Sequence, residues 1–385
     1  MKPRFKGVYS YFEIKPGVIR LGDASHSFEL EDENGCIHKM LQLMDGQHTV
    51  EQLHQLLLPG FPDLPVDDVM EAVQELNQLG FLYDQAAEEQ IGLTPRQRER
   101  FKGNLNYFSI FSDLDHAPGT YQAKLLQKKV TVLGMGAFGC SILFNLAGLG
   151  VKNVRIVDFD TVGLSNLNRQ MLFNEADIGR PKIEVAKEFI GKFYSDMQLE
   201  AVSGEIRSTA DVLRYAAGSD LVILAADQPL YVLPRWVNEG CVTLGIPYIM
   251  GGLTLRRGTF MTIIPEQTAC LDCEMYALGE QHPDLADFLE KVMDHNFILP
   301  NMATSPTLQM TTGMIAAEAM KLMTGLDGVQ SAGTRVEFDL VSFEKKTTAI
   351  ARQQQCPTCG QGNGLEQIFH VFNKPEYQER SVAGR

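Results

Sequence analysis

The chain has 385 residues, of which 44% are hydrophobic and 21% charged, which is typical of a folded globular protein with room for two or more domains. A formal net charge of −14 disfavours a nucleic-acid partner, because phosphate binding needs concentrated Lys and Arg. The sequence has no apolar run of 18 or more residues, and its first residues lack the apolar core of a signal peptide. We therefore expect a cytoplasmic protein that binds neither nucleic acid nor membrane.

Residues 1–88 predict a small first domain. "GVIRLG" and "SFELED" read as strands, and three helical patterns follow in "CIHKMLQLMDG", "TVEQLHQLLLPG" and "PVDDVMEAVQELNQLG". Thr49 is the expected N-cap of the second helix. "FLYD" closes the segment as a strand. Strands, helices and a final strand in this order predict a small winged-helix-like domain.

Residues 89–128 form a polar connector, and a larger domain is expected over 129–385. In it the apolar runs "VTVL", "VRIVD" and "LVILAAD" alternate with helical segments, which predicts a Rossmann-like, doubly wound α/β fold with a mainly parallel sheet. The longer alternating runs "RGTFMTIIP" and "TRVEFDLVSFEKK" predict an antiparallel extension of that sheet.

A glycine-rich turn joins the first strand of the large domain to a helix. Gly134, Gly136 and Gly139 form GxGxxG, which permits a tight turn and a close approach of phosphate to the helix N-terminus. Asp158 ends the next strand, where its carboxylate can accept hydrogen bonds from ribose hydroxyls. This motif alone fits NAD as well as ATP.

The residues that follow favour a triphosphate over NAD. Asp160, Asn166, Arg169 and Lys182 come just after the ribose carboxylate, and two fixed cations there suit phosphate oxygens. Asp227 ends a buried strand, where a carboxylate facing a triphosphate is a natural Mg²⁺ ligand. Taken singly, the two cations would be surface residues and Asp227 a helix N-cap. Their order and spacing together indicate a catalytic ATP site, and disfavour an NAD-dependent oxidoreductase.

Seven cysteines are present, and four of them form two CxxC pairs: Cys270 with Cys273, and Cys356 with Cys359. In a cytosolic chain two such pairs predict a structural zinc site with four thiolates, rather than disulfides. Unmetallated thiols or a redox pair would also fit the spacing. Cys140 and Cys241 are expected to be packed apolar residues, and His282 and His295 surface residues.

Residues 129 to about 360 resemble the ThiF/MoeB/HesA superfamily, the bacterial relatives of ubiquitin-activating enzymes. The resemblance rests on "GMGAFG", "VDFDTVGLSNLNRQ", "GRPKIEVA", "AAD" and the two CxxC pairs in order. It implies that ATP adenylates a carboxylate, with Asp158 on the ribose and Asp227 on Mg²⁺. It implies that Asn166, Arg169 and Lys182 hold the phosphates, and that zinc occupies the cysteines.

Superfamily dimers also send an Arg into the partner's ATP site from the segment before the first strand. Here that segment is "RQRERFKGNLNYF", in which Arg98, Arg100 and Lys102 could each serve and Arg100 is our catalytic candidate. Some members carry a Cys in the loop after the first CxxC pair and form a thioester or persulfide on it. That region has no Cys here, so we expect direct attack on the acyl-adenylate.

Residues 1–88 resemble the PqqD-like recognition elements of enzymes that modify ribosomally made peptides. Such a domain would bind a leader peptide as an added strand, although a small domain used for dimer contacts would also fit. An intact adenylating domain behind it resembles the enzymes of pantocin A and microcin C biosynthesis. We favour activation and cyclisation of glutamate side chains, as for pantocin A, over adenylation of a peptide C-terminus with a phosphoramidate product, as for microcin C. Two further functions stay open at this point: adenylation of a ubiquitin-like sulfur carrier, and a non-catalytic scaffold that binds peptides.

Overall fold

The computed structural model describes residues 1–23, 27–295, 301–326, 328–364, 366–372 and 374. The chain divides into two compact units, Met1–Lys124 and Leu125–Arg385. In the tail after Cys359, which the sequence leaves without an interpretation, residues 365, 373 and 375–385 lie outside the described residues. The domain boundaries at 88 and 128 remain predictions.

The first unit combines two small antiparallel sheets with helices. Its strands are β1 (Pro3–Phe5), β2 (Ser10–Lys15), β3 (Val18–Gly22), β4 (Ser27–Glu31) and β5 (Leu82–Asp84). Its helices are α1 (Cys36–Leu43), α2 (Val50–Leu57), α3 (Val66–Gln78), α4 (Gln85–Gln90), α5 (Pro95–Arg100), α6 (Lys102–Ser109) and α7 (Pro118–Gln127), the last of which crosses the boundary between the units. β3 lies between β2 and β4, and β1 pairs with β5.

The predicted elements of residues 1–88 are confirmed one by one, while the winged-helix classification stays a prediction. Thr49 caps α2 as expected, since its side chain accepts the Gln52 N–H and the Gln52 side chain bonds back to the Thr49 N–H. α3 buries Val69, Val73 and Leu76, which share one face of the helix. Together with Ile19 and Leu21 of β3 and residues of α1 and α2 they form a separate core.

The second unit is built on one eight-stranded sheet. Its strands are β6 (Lys129–Leu133), β7 (Asn153–Asp158), β8 (Gln198–Ser203), β9 (Leu221–Leu224), β10 (Tyr248–Thr254), β11 (Arg257–Ile263), β12 (Thr334–Asp339) and β13 (Lys345–Ala349). They lie in the order β13-β12-β11-β10-β9-β6-β7-β8. The five strands from β10 to β8 are parallel, and β10 to β13 pair in antiparallel fashion, which confirms both predictions.

The helices of the second unit lie between these strands in the chain, except the last, which follows β13. They are α8 (Ala137–Leu149), α9 (Lys182–Phe193), α10 (Thr209–Ala216), α11 (Val232–Leu244), α12 (Leu271–Gln281), α13 (Leu285–Asp294), α14 (Ser305–Thr324) and α15 (Glu366–Phe372). The chain runs outward from β6 to β7 and β8, then returns to β9 on the other side of β6. This reversal places a topological switch at β6 and β9, where open parallel sheets bind ligands beyond their carboxyl ends. No helix in the described part of the chain has the length and apolarity needed to cross a bilayer.

Candidate functional site

The turn after β6 needs its first glycine for two reasons. Gly134 has a φ of 101°, in the left-handed region that other residues rarely adopt, and its N–H donates to the Val157 carbonyl at 2.8 Å. A Cβ at this position would lie 2.8 Å from Ala226, beyond the end of β9. The glycine therefore lets the turn pack between the ends of β7 and β9 at the switch point.

The other two glycines have different neighbours. A Cβ on Gly139 would lie 2.0 Å from the Gly134 carbonyl oxygen, so this glycine is required for α8 to pack against the turn. A Cβ on Gly136 would meet nothing within 4 Å, and no side chain caps the N-terminus of α8 there. The protein itself does not need a glycine at 136. Open space beside an uncapped helix N-terminus fits a phosphate group.

Asp158 ends β7 and is half-buried. Its carboxylate oxygens accept the Met135 N–H at 2.5 Å and the Asp160 N–H at 2.7 Å, which ties it to the glycine turn. Burial raises the pKa of Asp158, although the nearby Lys182 charge and the two N–H bonds act in the opposite direction. Each oxygen retains acceptor capacity for a ribose hydroxyl.

Lys182 is the first residue of α9 and is buried, with a relative side-chain exposure of 7%. Its Nζ donates to Oδ2 of Asp160 at 2.8 Å. The structure thus brings Asp158, Asp160 and Lys182 together beside the glycine turn, as the sequence predicts for a phosphate and ribose site.

Asn166 and Arg169 lie in the turns after β7. The Asn166 side chain accepts the Gly163 N–H at 2.9 Å, and one guanidinium nitrogen of Arg169 donates to the Ser165 carbonyl at 2.8 Å and to Asn168 at 2.7 Å. The Nε of Arg169 is buried and has no hydrogen-bond partner among the described residues. A buried unpaired donor of this kind fits a site that a ligand completes.

Gln170, which follows Arg169 in the chain, carries a buried polar atom that the sequence does not reveal. Its side chain is 3% exposed, and its Oε1 is buried and unpaired within the described residues, next in the chain to the unpaired Arg169 Nε. The residues just before it in the sequence are polar, so the local sequence pattern does not predict that this side chain is buried. Only its direct succession to Arg169 could have drawn attention to it.

Asp227 lies three residues beyond β9, in an exposed position. Its side chain makes no hydrogen bond or ion pair with the described residues. A free carboxylate at the carboxyl end of β9, close to where the glycine turn contacts Ala226, fits a Mg²⁺ ligand.

The three candidates for a residue acting in trans lie in the first unit. Arg98 forms an ion pair with Glu88 and also donates to the Glu88 carbonyl at 2.9 Å. Glu88 is 5% exposed and accepts the Gly119 N–H at 2.7 Å, so Arg98 belongs to an internal network. Arg100, whose guanidinium lies 5.9 Å from the centre of the Phe101 ring, and Lys102 are both exposed.

The four predicted metal ligands converge in space. The sulfur atoms of Cys270, Cys273, Cys356 and Cys359 all lie within 4.8 Å of one another. Cys270 is 3.5 Å from Cys356 and Cys273 is 3.3 Å from Cys359. Tetrahedral zinc with bonds of about 2.3 Å separates its sulfur ligands by about 3.8 Å, so this donor set fits the ion.

The surroundings of the thiols also suit a metal. Hydrogen bonding to the Cys270 thiol lowers the pKa of Cys273 and of Cys359 to about 7, and the same bonds raise the pKa of Cys270. Thiolates are the form that binds zinc. The side-chain amide of the fully buried Asn238 donates to the Cys270 sulfur at 3.8 Å. Asp272, within the first CxxC pair, bonds to Arg235 on α11 and to Thr358 in the second pair. These contacts hold the two CxxC pairs together.

Two of the three remaining cysteines and the two histidines behave as expected. Cys140 and Cys241 are fully buried, and burial raises the pKa of Cys241 to about 12 and that of Cys140 still further, so both thiols are packing residues. His282 and His295 are exposed. The region without cysteine after the first CxxC pair includes residues 296–300, which lie outside the described residues.

Several curated proteins are similar to this chain over most of their own length. The chain is 29% identical over 273 residues to the SAMP-activating enzyme E1 of Haloferax volcanii, covering 69% of this chain and 94% of the relative. It is 32% identical over 244 residues to the sulfur carrier protein ThiS adenylyltransferase of Escherichia coli, covering 63% and 90%.

Two solved structures share the fold over most of the chain. Escherichia coli MccB in its structure with ATP matches with a TM-score of 0.74 and 21% identity, covering 94% of this chain and 100% of MccB. PaaA matches with a TM-score of 0.70 and 21% identity, covering 90% and 100%. These matches confirm the predicted α/β adenylation fold.

The ThiF family model matches residues 103–358, a stretch that includes the glycine turn, the Asp158–Lys182 segment, Asp227 and all but the last of the four clustered cysteines. By its motifs, its fold and its adenylating relatives, the chain belongs to the ThiF family of ATP-dependent adenylating enzymes.

Proposed function

We propose that this enzyme uses Mg-ATP to adenylate a carbonyl group of a ribosomally made precursor peptide. An acyl oxygen attacks the α-phosphorus of ATP, and the bond to the leaving pyrophosphate breaks. The carbonyl carbon of the resulting acyl-adenylate is then open to attack by a second nucleophile. ThiF membership and the residues around the glycine turn support the first step.

The nucleotide site supplies a role for each of its residues. The open space at Gly136 and the N-terminus of α8 would hold phosphate, and Asp158 would accept bonds from the ribose. Asn166, Arg169 and Lys182 would bind the phosphate oxygens and stabilise the charge that develops in the transition state. Asp227 would hold Mg²⁺, which shields the charge of the phosphates.

The observation that carries the choice of a peptide is the separate unit before the adenylating domain. This unit has a hydrophobic core of its own. The outer strands of its three-stranded sheet, β2 and β4, each leave one edge unpaired among the described residues. On β2, Phe12 is 66% exposed and Ile14 42% exposed. An open edge with apolar side chains suits a peptide that adds as a further strand, so residues 1–88 would bind the leader.

The comparisons support the same choice. The ThiF family model covers residues 103–358, whereas MccB in complex with N-formylated MccA matches 94% of this chain in structure. The peptide-modifying enzymes therefore share an architecture that includes a region beyond the adenylating domain. Because the identity to MccB is 21%, this likeness is one of fold, and the substrate is our proposal.

Within this function we favour activation of glutamate side chains followed by cyclisation, as in pantocin A biosynthesis. The reason is that the domain predicted over residues 1–88 is longer and more regular than a minimal peptide clamp requires. The specific alternative is adenylation of a peptide C-terminus with formation of a phosphoramidate, as in microcin C biosynthesis.

The test is incubation of the full-length chain with Mg-ATP and candidate precursor peptides encoded near its gene, followed by mass spectrometry. A gain of AMP on the peptide would indicate the microcin type, and loss of two waters and CO₂ the pantocin type. Exchange of pyrophosphate into ATP that needs a small folded carrier, and survives deletion of residues 1–88, would replace the peptide with a sulfur carrier. If the chain binds no ATP, the remaining hypothesis is a non-catalytic scaffold that binds peptides.

Zinc at the four cysteines, a homodimer and a cytoplasmic location complete the proposal. Arg98 is held by Glu88 inside its own subunit, so Arg100, our catalytic candidate from the sequence, and Lys102 are the candidates that we retain to reach the ATP site of the other subunit. Subunit mixing tests this. Arg100→Ala and Asp227→Ala chains, each inactive alone, should regain part of the activity when mixed, because one of the hybrid sites has both residues. Arg98→Ala serves as the control. Because Arg98 belongs to an internal network, this variant should lose stability, and mixing it with another chain should not be needed for its activity.

A further inference from the structure

Asp160 is bonded to Lys182 twice. Its Oδ2 accepts from the Lys182 Nζ at 2.8 Å, and its backbone carbonyl accepts the Lys182 N–H at 3.0 Å. Between these contacts Thr161 and Pro181 form an isolated β-bridge. The backbone hydrogen bond does not involve the carboxylate, so it should hold the loop in position when the Asp160 side chain is substituted.

The position of Lys182 is energetically unfavourable for a positive charge. Its side chain is 7% exposed, and it stands at the N-terminus of α9, where the helix dipole is positive. Two carboxylates lie near it: Asp160 in direct contact, and Asp158, whose pKa burial raises against the opposing effect of the Lys182 charge. Among the described residues, the buried thiol of Cys140 is a further titratable group that lies close enough to be affected by the lysine charge. The ammonium therefore has two competing anionic partners.

The two carboxylates differ in what else they do. Both oxygens of Asp158 already accept backbone N–H groups of Met135 and Asp160, and its remaining capacity faces the proposed ribose. Asp160 is 49% exposed, and Lys182 is the partner of its Oδ2. An ammonium has three N–H donors, so a bond to Asp160 leaves two for phosphate oxygens.

We propose that Asp160 is a positioning residue for the proposed ATP-dependent reaction. Its carboxylate holds the Lys182 ammonium away from Asp158 and directs the two remaining donors toward the phosphates. Asp158 is thereby kept for the ribose. The inference rests on the proposed function, because it assigns Lys182 to phosphate. The opposite arrangement, in which Asp160 only sequesters Lys182 until ATP displaces it, has the opposite effect on affinity.

The experiment is a double-mutant cycle on Mg-ATP binding, measured by calorimetry on the full-length chain. The four proteins are the wild type, Asp160→Ala, Lys182→Met and the double variant. We expect Asp160→Ala to weaken ATP binding about tenfold in the wild-type background, the size of one bond to a charged group. With Lys182 absent, loss of Asp160 should have no further effect. Melting temperatures are measured in parallel, and Asp160→Asn, which keeps the size of the side chain, replaces Asp160→Ala if the latter fails to fold.

Each other outcome overturns the assignment. Tighter ATP binding by Asp160→Ala would make Asp160 a sequestering partner of Lys182. Equal weakening in both backgrounds would make Asp160 independent of Lys182. If the wild type binds no ATP, the proposed function falls together with this inference, whereas normal wild-type binding with an additive cycle removes only the role of Asp160.

Discussion

The thiol cluster and the proposed nucleotide site lie in the same unit, yet they differ in how many of their polar groups are bonded within the protein. At the cluster, the four sulfur atoms lie within 4.8 Å of one another. Asn238 bonds to the Cys270 sulfur, and Asp272 of the first CxxC pair bonds to Thr358 of the second. At the nucleotide site, Asp227 is exposed without a partner, and Arg169 and Gln170 keep buried polar atoms unpaired within the described residues.

The difference fits the roles that we propose for the two centres. A structural metal must stay bound, so its ligands are buried and held by neighbouring side chains. A site that binds and releases a nucleotide keeps donors and acceptors available, because bonds made within the protein would have to be broken again. We therefore expect changes at the cluster to affect stability and changes at the nucleotide site to affect activity.

Removing one thiol should have the largest effect. Structural zinc with thiolate ligands contributes on the order of 10 kcal/mol to folding. We expect Cys273→Ala to purify without zinc and to unfold far below the wild-type melting temperature, as followed by metal analysis and thermal unfolding.

Cys241→Ala is the matched control, since Cys241 is buried in the same core but lies outside the cluster. It should retain zinc and lose about 1 kcal/mol of stability for the small cavity. A wild type without zinc, or a Cys273→Ala chain that melts like the control, would remove the metal from our account.

Asp227→Ala should separate activity from stability. The side chain is exposed and makes no contact that the variant would lose, so the melting temperature should stay unchanged. Loss of a Mg²⁺ ligand should lower ATP–pyrophosphate exchange roughly 1,000-fold.

The control for Asp227 lies at the other end of the same strand. Asp220 precedes β9 and pairs with Lys128, so Asp220→Asn should cost up to about 1 kcal/mol of stability and leave exchange intact. Equal loss of exchange in both variants would show that the carboxyl end of β9 has no special role.

Two glycines of the turn sharpen the comparison within the nucleotide site itself. Gly139→Ala should destabilise the fold by about 3 kcal/mol, because its Cβ would lie 2.0 Å from the Gly134 carbonyl oxygen. Gly136→Ala should leave the free energy of unfolding nearly unchanged and weaken ATP binding about tenfold by filling phosphate space. Urea unfolding and calorimetry on both variants measure the two effects. A stable Gly139→Ala with normal ATP affinity would contradict the packing argument.

The sequence predicts the parts of this molecule whose chemistry is local or repeated. Apolar runs predicted the parallel sheet, and paired CxxC spacing predicted the thiol cluster that the structure forms. Burial of a polar residue depends on distant segments, so the unpaired Gln170 could not be recognised. The same holds for Arg98, whose partner Glu88 lies ten residues earlier and also bonds to Gly119. A charged residue in a polar stretch carries no local sign of such a network.

Lys6 in the first unit can be compared with Lys182, because its buried ammonium group bonds to backbone carbonyls and not to a proposed ligand. It is 0% exposed, and its Nζ donates to the carbonyls of Ser112 at 2.6 Å and Ile110 at 3.4 Å. Burial lowers its pKa from 10.5 to about 8, although the charge of Asp113 acts in the opposite direction.

The sign of the resulting pH effect is fixed by these two pKa values. Between pH 8 and 10.5 the unfolded chain keeps the proton that the folded chain has lost, so the free energy of unfolding rises with pH by up to about 1.4 kcal/mol per unit. Lys6→Met has no such group, so the stability of the wild type relative to this variant should grow from pH 8 to pH 10 and stay constant below pH 7. Urea unfolding of both proteins at each pH measures the difference. A difference that does not change with pH would mean that Lys6 stays protonated in the fold, so that its contacts with the two carbonyls and Asp113 outweigh the cost of its burial.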